Sequence, residues 1–276
     1  MQLGLLLLAS PAAMRLAPPA AAPAGRLAAP AMSAERLATD RFVDGPVAYR
    51  QSAQDILVQG KSLRTWSYRS AVVEQVQVYL STEGRPMDAD VEIWNGPNNS
   101  PFKMRVFVDD GAIRPFSAVI QTPRGPNTIA IRNLGQVEFP MVASVVANHV
   151  DAPSADSMDA SRTVPGGALR TFPFDPSVES VQILMETDGR PLNARIELLQ
   201  GPNANKQVVE LYSEDGRDRP FFCVLETPGS GNVVRIVNTA PVEFPMTAGV
   251  VPHSINEAMS YEPVLGGDVV IGGDFQ

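Results

Sequence analysis

The acidic side chains are the first candidates for chemistry. Asp88, Asp90 and Glu92 alternate along one short stretch, and carboxylates lined up on one side of a strand can supply oxygen ligands to a calcium ion. Glu92, Glu138, Glu197 and Glu243 could furnish the paired carboxylates that glycoside hydrolysis needs. His149 and His253, the two histidines, are each expected just after the last strand of their copy, and Cys223 is the single cysteine, so an intramolecular disulfide and a multi-cysteine metal site are excluded. Gly229-Ser230-Gly231 sets a serine between glycines but lacks the rest of a nucleophile elbow, and there is no Walker loop, H-E-x-x-H or dinucleotide fingerprint. Asn98-Asn99-Ser100 is a lone glycosylation sequon followed by Pro101.

An internal repeat tests each of these candidates. Val73-Glu74-Gln75-Val76-Gln77 returns as Val178-Glu179-Ser180-Val181-Gln182, and Gly84-Arg85-Pro86 as Gly189-Arg190-Pro191. Gly96-Pro97-Asn98 returns as Gly201-Pro202-Asn203, and Val137-Glu138-Phe139-Pro140-Met141 as Val242-Glu243-Phe244-Pro245-Met246. Every pair lies 105 positions apart, and 32 of the 74 positions of 73–146 are identical in 178–251 without a gap. Asp88, Asp90 and Glu92 become Asn193, Arg195 and Glu197, and an arginine in the centre argues against a cation site. Gly229-Ser230-Gly231 corresponds to Arg124-Gly125-Pro126 and reads as a turn. The four glutamates each have a counterpart, which suits shared architecture better than one asymmetric cleft. No catalytic residue, metal site or cofactor is assigned.

The elements follow from alternation and punctuation. Val76, Val78 and Leu80 alternate with Gln77, Tyr79 and Ser81, and Ala89, Val91 and Ile93 with Asp90, Glu92 and Trp94, the two-residue period of half-buried strands. Further strands are expected near 63–68, 102–108, 116–122, 127–133 and 141–148, each bounded by Gly, Pro or Asn. Seven short strands in each copy predict an all-β chain of two tandem, pseudo-symmetric antiparallel β-sandwich or jelly-roll-like domains. The expected order is a presequence over 1–40, an extension over 41–60, a first domain over 61–150 and a linker over 151–163. A second domain over 164–252 and a tail over 253–276 complete it. Closing Glu83-Gly84-Arg85-Pro86 as a hairpin loop would set Thr82 opposite Met87, Val78 opposite Val91 and Leu80 opposite Ala89. It would also set Gln77 opposite Glu92 outside, and Gln182 opposite Glu197 in the second copy.

Retained charges outside the core are candidate assembly contacts. Arg85 and Arg190 lie in turns, and Arg114 and Arg219 precede Pro-Phe at strand starts. They could pair across loops with Asp110, Asp215, Glu138 or Glu243, or meet acids on a neighbouring molecule. Gln77, Gln182, Glu92 and Glu197 could close the hairpins or form a contact surface. The tail carries Val269, Val270 and Ile271 between glycine pairs, a short run able to pack on its own domain or to augment a neighbour's sheet. Two similar lobes in one chain favour head-to-tail propagation.

Composition narrows the partners. The net charge is −8 with no basic stripe, which disfavours nucleic acid, and no apolar run is long enough to span a bilayer. Leu3–Leu8 followed by Ala9-Ser10-Pro11-Ala12-Ala13 reads as a short signal segment. Residues 15–34 are rich in Ala and Pro, carry Arg15 and Arg26, and contain no acid. The combination looks like the bipartite presequence of algae with complex plastids; an ordinary secretory signal with an Ala/Pro linker is the alternative.

Gly84-Arg85-Pro86, Asp90-Val91-Glu92-Ile93-Trp94-Asn95-Gly96-Pro97, Arg114-Pro115-Phe116, Ile131-Arg132-Asn133 and Glu138-Phe139-Pro140 resemble the pyrenoid shell proteins of diatoms and related algae, over roughly residues 50–275. The resemblance implies a plastid protein of two related β-rich halves, located in the stroma at the pyrenoid periphery. It implies self-assembly into a sheet around the Rubisco matrix, which would be an indirect partner, with no enzymatic activity and a role in CO2 concentration. The other reading is a tandem carbohydrate- or ligand-binding module. Against it, Trp94 and Tyr79 become Leu199 and Leu184, so the copies share no aromatic platform there.

Overall fold

The computed structural model describes residues 55–257, apart from residues 69, 71, 97, 148, 149 and 203. The alternating stretches form β1 (Ile56–Val58), β2 (Leu63–Tyr68), β3 (Gln75–Ser81), β4 (Met87–Trp94), β5 (Phe102–Val108), β6 (Phe116–Gln121), β7 (Asn127–Asn133) and β8 (Met141–Val146). A short helix α1 (Ala155–Asp159) follows. The second copy gives β9 (Arg162–Val164), β10 (Leu169–Pro173), β11 (Val178–Glu186), β12 (Leu192–Gln200), β13 (Asn205–Ser213), β14 (Phe221–Glu226), β15 (Asn232–Asn238) and β16 (Met246–Ile255). His253 thus lies inside the last strand, not after it as its position beyond the repeat suggests.

The strands build two eight-stranded antiparallel sheets, and each sheet runs through both copies. Sheet A has the order β1-β8-β3-β6-β14-β11-β16-β9, and sheet B the order β10-β15-β12-β13-β5-β4-β7-β2. Their inner faces enclose one hydrophobic core in which Val78, Leu80, Val91, Ile93, Phe116 and Ile131 are buried together with Ile183, Met185, Ile196, Phe221 and Ile236. Phe102 of the first copy stacks on Phe221 of the second, ring centroids 6.3 Å apart, so the core bridges the sheets and the copies at once.

The copies join at a seam made of β6 against β14 and β5 against β13. Ala118 is the register partner of Cys223, and Arg105 of Glu210. Both pairs are 105 positions apart, so each residue sits opposite its own counterpart. An approximate two-fold axis therefore passes through the sandwich at these two pairs. Cys223 is fully buried there, and burial pushes its thiol pKa up, away from reactive thiolate.

The expected β3–β4 hairpin is not formed. β3 pairs with β6 and β8 in sheet A, whereas β4 pairs with β5 and β7 in sheet B. Residues 83–86 form an arch that carries the chain between the sheets, and the second copy does the same. Gly84 and Gly189 hold φ values of 72° and 101°, conformations in which a β-carbon is strained. The Thr82 hydroxyl donates to the Arg85 carbonyl at 2.5 Å, and Thr187 to Arg190 at 2.5 Å. Val78, Leu80, Ala89 and Val91 all face the core as expected. Gln77 and Glu92, however, lie on opposite sheets, so neither the Gln77–Glu92 nor the Gln182–Glu197 cross-strand pair exists. Alternation marks an inward face but is identical for a strand's neighbour and for a strand facing it across the core.

Candidate assembly surfaces

The retained arginines of the arches are held within the chain. Arg85 donates through Nη1 to the Glu138 carbonyl at 3.2 Å and stacks 5.2 Å from the Phe139 ring centroid. Arg190 repeats this on the Glu243 carbonyl at 2.7 Å and on Phe244 at 5.4 Å. Each clamps the Phe-Pro corner before the last strand of its copy, which accounts for retention of Gly-Arg-Pro together with Glu-Phe-Pro. Asp110 accepts from the backbone N–H groups of Ala112 and Ile113, and Asp215 from those of Arg217 and Asp218. These bonds to the ionised form hold the Asp215 pKa below the usual carboxylate range. Arg114 and Arg219 are buried. Arg114 crosses the seam to donate to Gln200 Oε1 at 2.9 Å and lies 3.6 Å from Asp109.

The outer face of sheet A is covered near the axis. Val119, Leu184, Phe222 and Val224 form a small buried apolar cluster with Val150 packed on it. Gln77 and Gln182, equivalent residues on either side, hold the segment that joins the copies. Gln77 Nε2 donates to Asp151 at 2.6 Å while its Oε1 accepts the Asp151 N–H at 2.9 Å. Gln182 Oε1 accepts the Ser154 N–H at 3.0 Å. The Ser154 side chain then caps α1. Helix α1 presses onto β16, where a β-carbon on Gly249 would come within 2.0 Å of the Ser157 carbonyl oxygen. The joining segment is thus a strap over the seam, fastened by hydrogen bonds to two buried glutamines.

The outer face of sheet B is open and charged. Lys103 and Glu92 pair at 3.6 Å, Arg105 and Asp88 at 2.9 Å, and Arg195 and Glu197 at 2.8 Å. Glu197 is buried and also pairs with Arg235, whereas its counterpart Glu92 is half-buried and accepts from Trp94 Nε1 at 2.7 Å. Asp90 carries a raised pKa because burial disfavours its charge, with Arg105 opposing. An open cleft of about 530 Å³ lies over the seam, lined among others by Asp90, Lys103, Arg105, Arg195, Glu210 and Tyr212. Acids and bases alternate in it, so it presents no field of one sign. Among the described residues no three His, Cys, Asp or Glu side chains gather as a metal site.

The two ends of the sandwich are alike. β1 and β2 form the outermost strands at one end, and β9 and β10, their counterparts, at the other. Among the described residues each pairs on one side only. Val269, Val270 and Ile271 lie outside the described residues. Alternation alone gave no sign of the part played by two buried asparagines, Asn133 and Asn238. Asn133 Nδ2 donates to the Val58 and Phe139 carbonyls, and Asn238 Nδ2 to those of Val164 and Phe244. Each ties a sheet B strand to an end strand of sheet A; identity of a buried asparagine at the repeat spacing was the available signal.

Among solved structures, the chain is similar to the PBSX exported protein XepA at 11% identity, covering 72% of this chain and 85% of that one with a TM-score of 0.24. It is similar to the tandem CBM22 domains of Paenibacillus barcinonensis Xyn10C at 10% identity, covering 74% and 92%, TM-score 0.24. A Bacillus subtilis oxalate decarboxylase gives 9% identity, 76% and 72% coverage and a TM-score of 0.21. Such scores carry no argument about function. No curated protein matches the chain. The sequence profile of the diatom pyrenoid shell proteins, in contrast, matches residues 50–252. That span takes in every described strand but the last three residues of β16, and with it the arches, the seam and both ends: the chain belongs to the diatom pyrenoid shell protein family.

Proposed function

We propose that the chain is a self-assembling structural unit of a sheet-like shell that encloses the Rubisco-containing pyrenoid, limits CO2 leakage and so supports carbon fixation. The reading sets it in the plastid stroma at the pyrenoid periphery, after removal of residues 1–40, and gives it no enzymatic role. The observation that carries it is the likeness of the two ends: an approximate two-fold places at each end two sheet edges that no further described strand pairs. Unpaired edges are templates for further strands, and like ends on one chain let a contact repeat indefinitely. The retained Arg85, Arg190, Gln77 and Gln182 serve as clamps and fasteners within the chain.

Negative-stain microscopy of protein lacking residues 1–40 tests the reading. Ordered sheets or tubes are expected. A strictly monomeric protein across concentration and salt, with binding to a glycan array, would replace it with the carbohydrate-binding alternative. Deleting residues 262–276 tests the tail separately: assembly lost on deletion gives the tail an augmenting role, and assembly unchanged removes it.

A further inference from the structure

Where the two-fold axis crosses the seam a position meets its own duplicate, so an unchanged duplication would set like beside like there. Inside the core this is harmless, and Ala118 meets Cys223. On the outer face of sheet B it is not, because like charges directly opposite one another destabilise a sheet. There Arg105 meets Glu210. The neighbouring position has changed in concert: Asp90 is the register partner of Arg105, and Arg195 that of Glu210. Asp90 also partners Arg132. One row across β7, β4, β5, β13 and β12 therefore reads Arg132, Asp90, Arg105, Glu210, Arg195, with the sign reversing at every step. Arg195 Nη1 lies 3.7 Å from Glu210 Oε1. Asp88, Asp90 and Glu210 together raise the Arg105 pKa, Asp88 most.

We propose that the seam is a charge-keyed interface: the seam edge of the first copy accepts that of a second copy and rejects another first copy. The partner it fits is the second copy, of the same chain or of a neighbouring chain. In the same register, two first copies would oppose Arg105 to Arg105, and two second copies would oppose Glu210 to Glu210. Two second copies would also set Gln207 against Ser213 on the core side. The observed seam instead sets Gln207 against Val108 and Ser213 against Phe102. In a protein whose halves share strand order and core pattern, the key keeps the halves of crowded chains from joining with the wrong partner.

Thermal unfolding of the full chain tests this with E210Q, E210R and R105Q, and with each Glu210 variant combined with R105Q. The Arg105 and Glu210 side chains are each 56% exposed, so all variants are expected to fold. At about 0.05 M salt E210R should unfold several degrees below E210Q. At least about half of that gap should disappear in the R105Q background, since the double-mutant cycle isolates the pair. At about 1 M salt, where screening acts within roughly 3 Å, the gap should close. A gap smaller than about 1 °C at low salt, or one that R105Q leaves unchanged, overturns the proposal. The readout is the stability of single chains, so it stands apart from whether those chains form sheets.

Discussion

The outer faces of the two sheets have matching strand order and opposite chemistry. Sheet A presents Val119, Leu184, Phe222 and Val224 beneath a strap, with Gln77 and Gln182 as its fasteners. Sheet B presents rows of paired charge to solvent. The copies differ near the axis on both outer faces: Ser117 corresponds to Phe222 on sheet A, and Asp90 and Arg105 to Arg195 and Glu210 on sheet B. An apolar patch on a sheet needs a cover, and the chain supplies one from the segment that links its copies. A charged face needs no cover, but at a two-fold seam it needs asymmetry. One duplication thus produced two solutions, set by which face the residue occupies.

The largest effect separating the faces is expected from charge beneath the strap. Phe222→Asp should lose about 3–5 kcal/mol by urea denaturation, from the lost ring and the buried carboxylate. Phe107→Asp on sheet B, where Phe107 is 38% exposed, should lose about 1 kcal/mol or less. Similar losses from both would erase the distinction between covered and open faces.

Next comes Glu226, on the sheet A face. Burial, and then Glu179, push its pKa up to about 7. The folded state therefore holds this proton more tightly than the unfolded chain does. The stability it contributes is present below the ordinary value of 4.5 and is lost as pH rises through about 7, a decline of roughly 2 kcal/mol or less. The counterpart in the first copy is Gln121. Glu226→Gln should flatten the stability profile between about pH 4.5 and pH 8, measured as denaturation midpoints; an unchanged slope would show that Glu226 is solvated.

Gln77→Ala should cost about 1–2 kcal/mol and raise hydrogen exchange in residues 150–160 above that of the neighbouring strands. Protection there equal to that of the intact chain would mean the strap is held by apolar contact alone. The smallest effect is expected on sheet B: Lys103→Gln breaks a half-exposed pair with Glu92 and should lower stability by about 0.5 kcal/mol or less, vanishing in high salt. A loss above about 1 kcal/mol would make that face a stability element.

Much of this was legible in the sequence because repeats and alternation are local properties. Val76, Val78 and Leu80 announced β3, and the repeated Gly-Arg-Pro announced two identical corners. The corner's direction was not legible. Whether Gly84 turns the chain back along its own sheet or across to the other depends on which strands lie nearest. Nothing in residues 82–87 encodes that β6 and β8 flank β3. For the same reason Gln77 looked like a surface partner for Glu92 and proved to be a buried fastener for Asp151. The arginines of the arches were legible as loop residues, but their acceptors are backbone carbonyls, which carry no mark in a sequence.

By itself the sequence determined the duplication, the all-β class and the places of seven strands in each copy. Hydrophobic period and turn chemistry write these within a few residues of where they act. The edge strands β1 and β9 fell in stretches that read as extension and linker. Only the tertiary structure decided that the copies merge into two continuous sheets, with Arg105 against Glu210 and Ala118 against Cys223. Backbone hydrogen bonds between strands are the same whichever strands make them, so strand order rests on how all the apolar faces close around one core. That closure belongs to the whole chain, and no single segment records it.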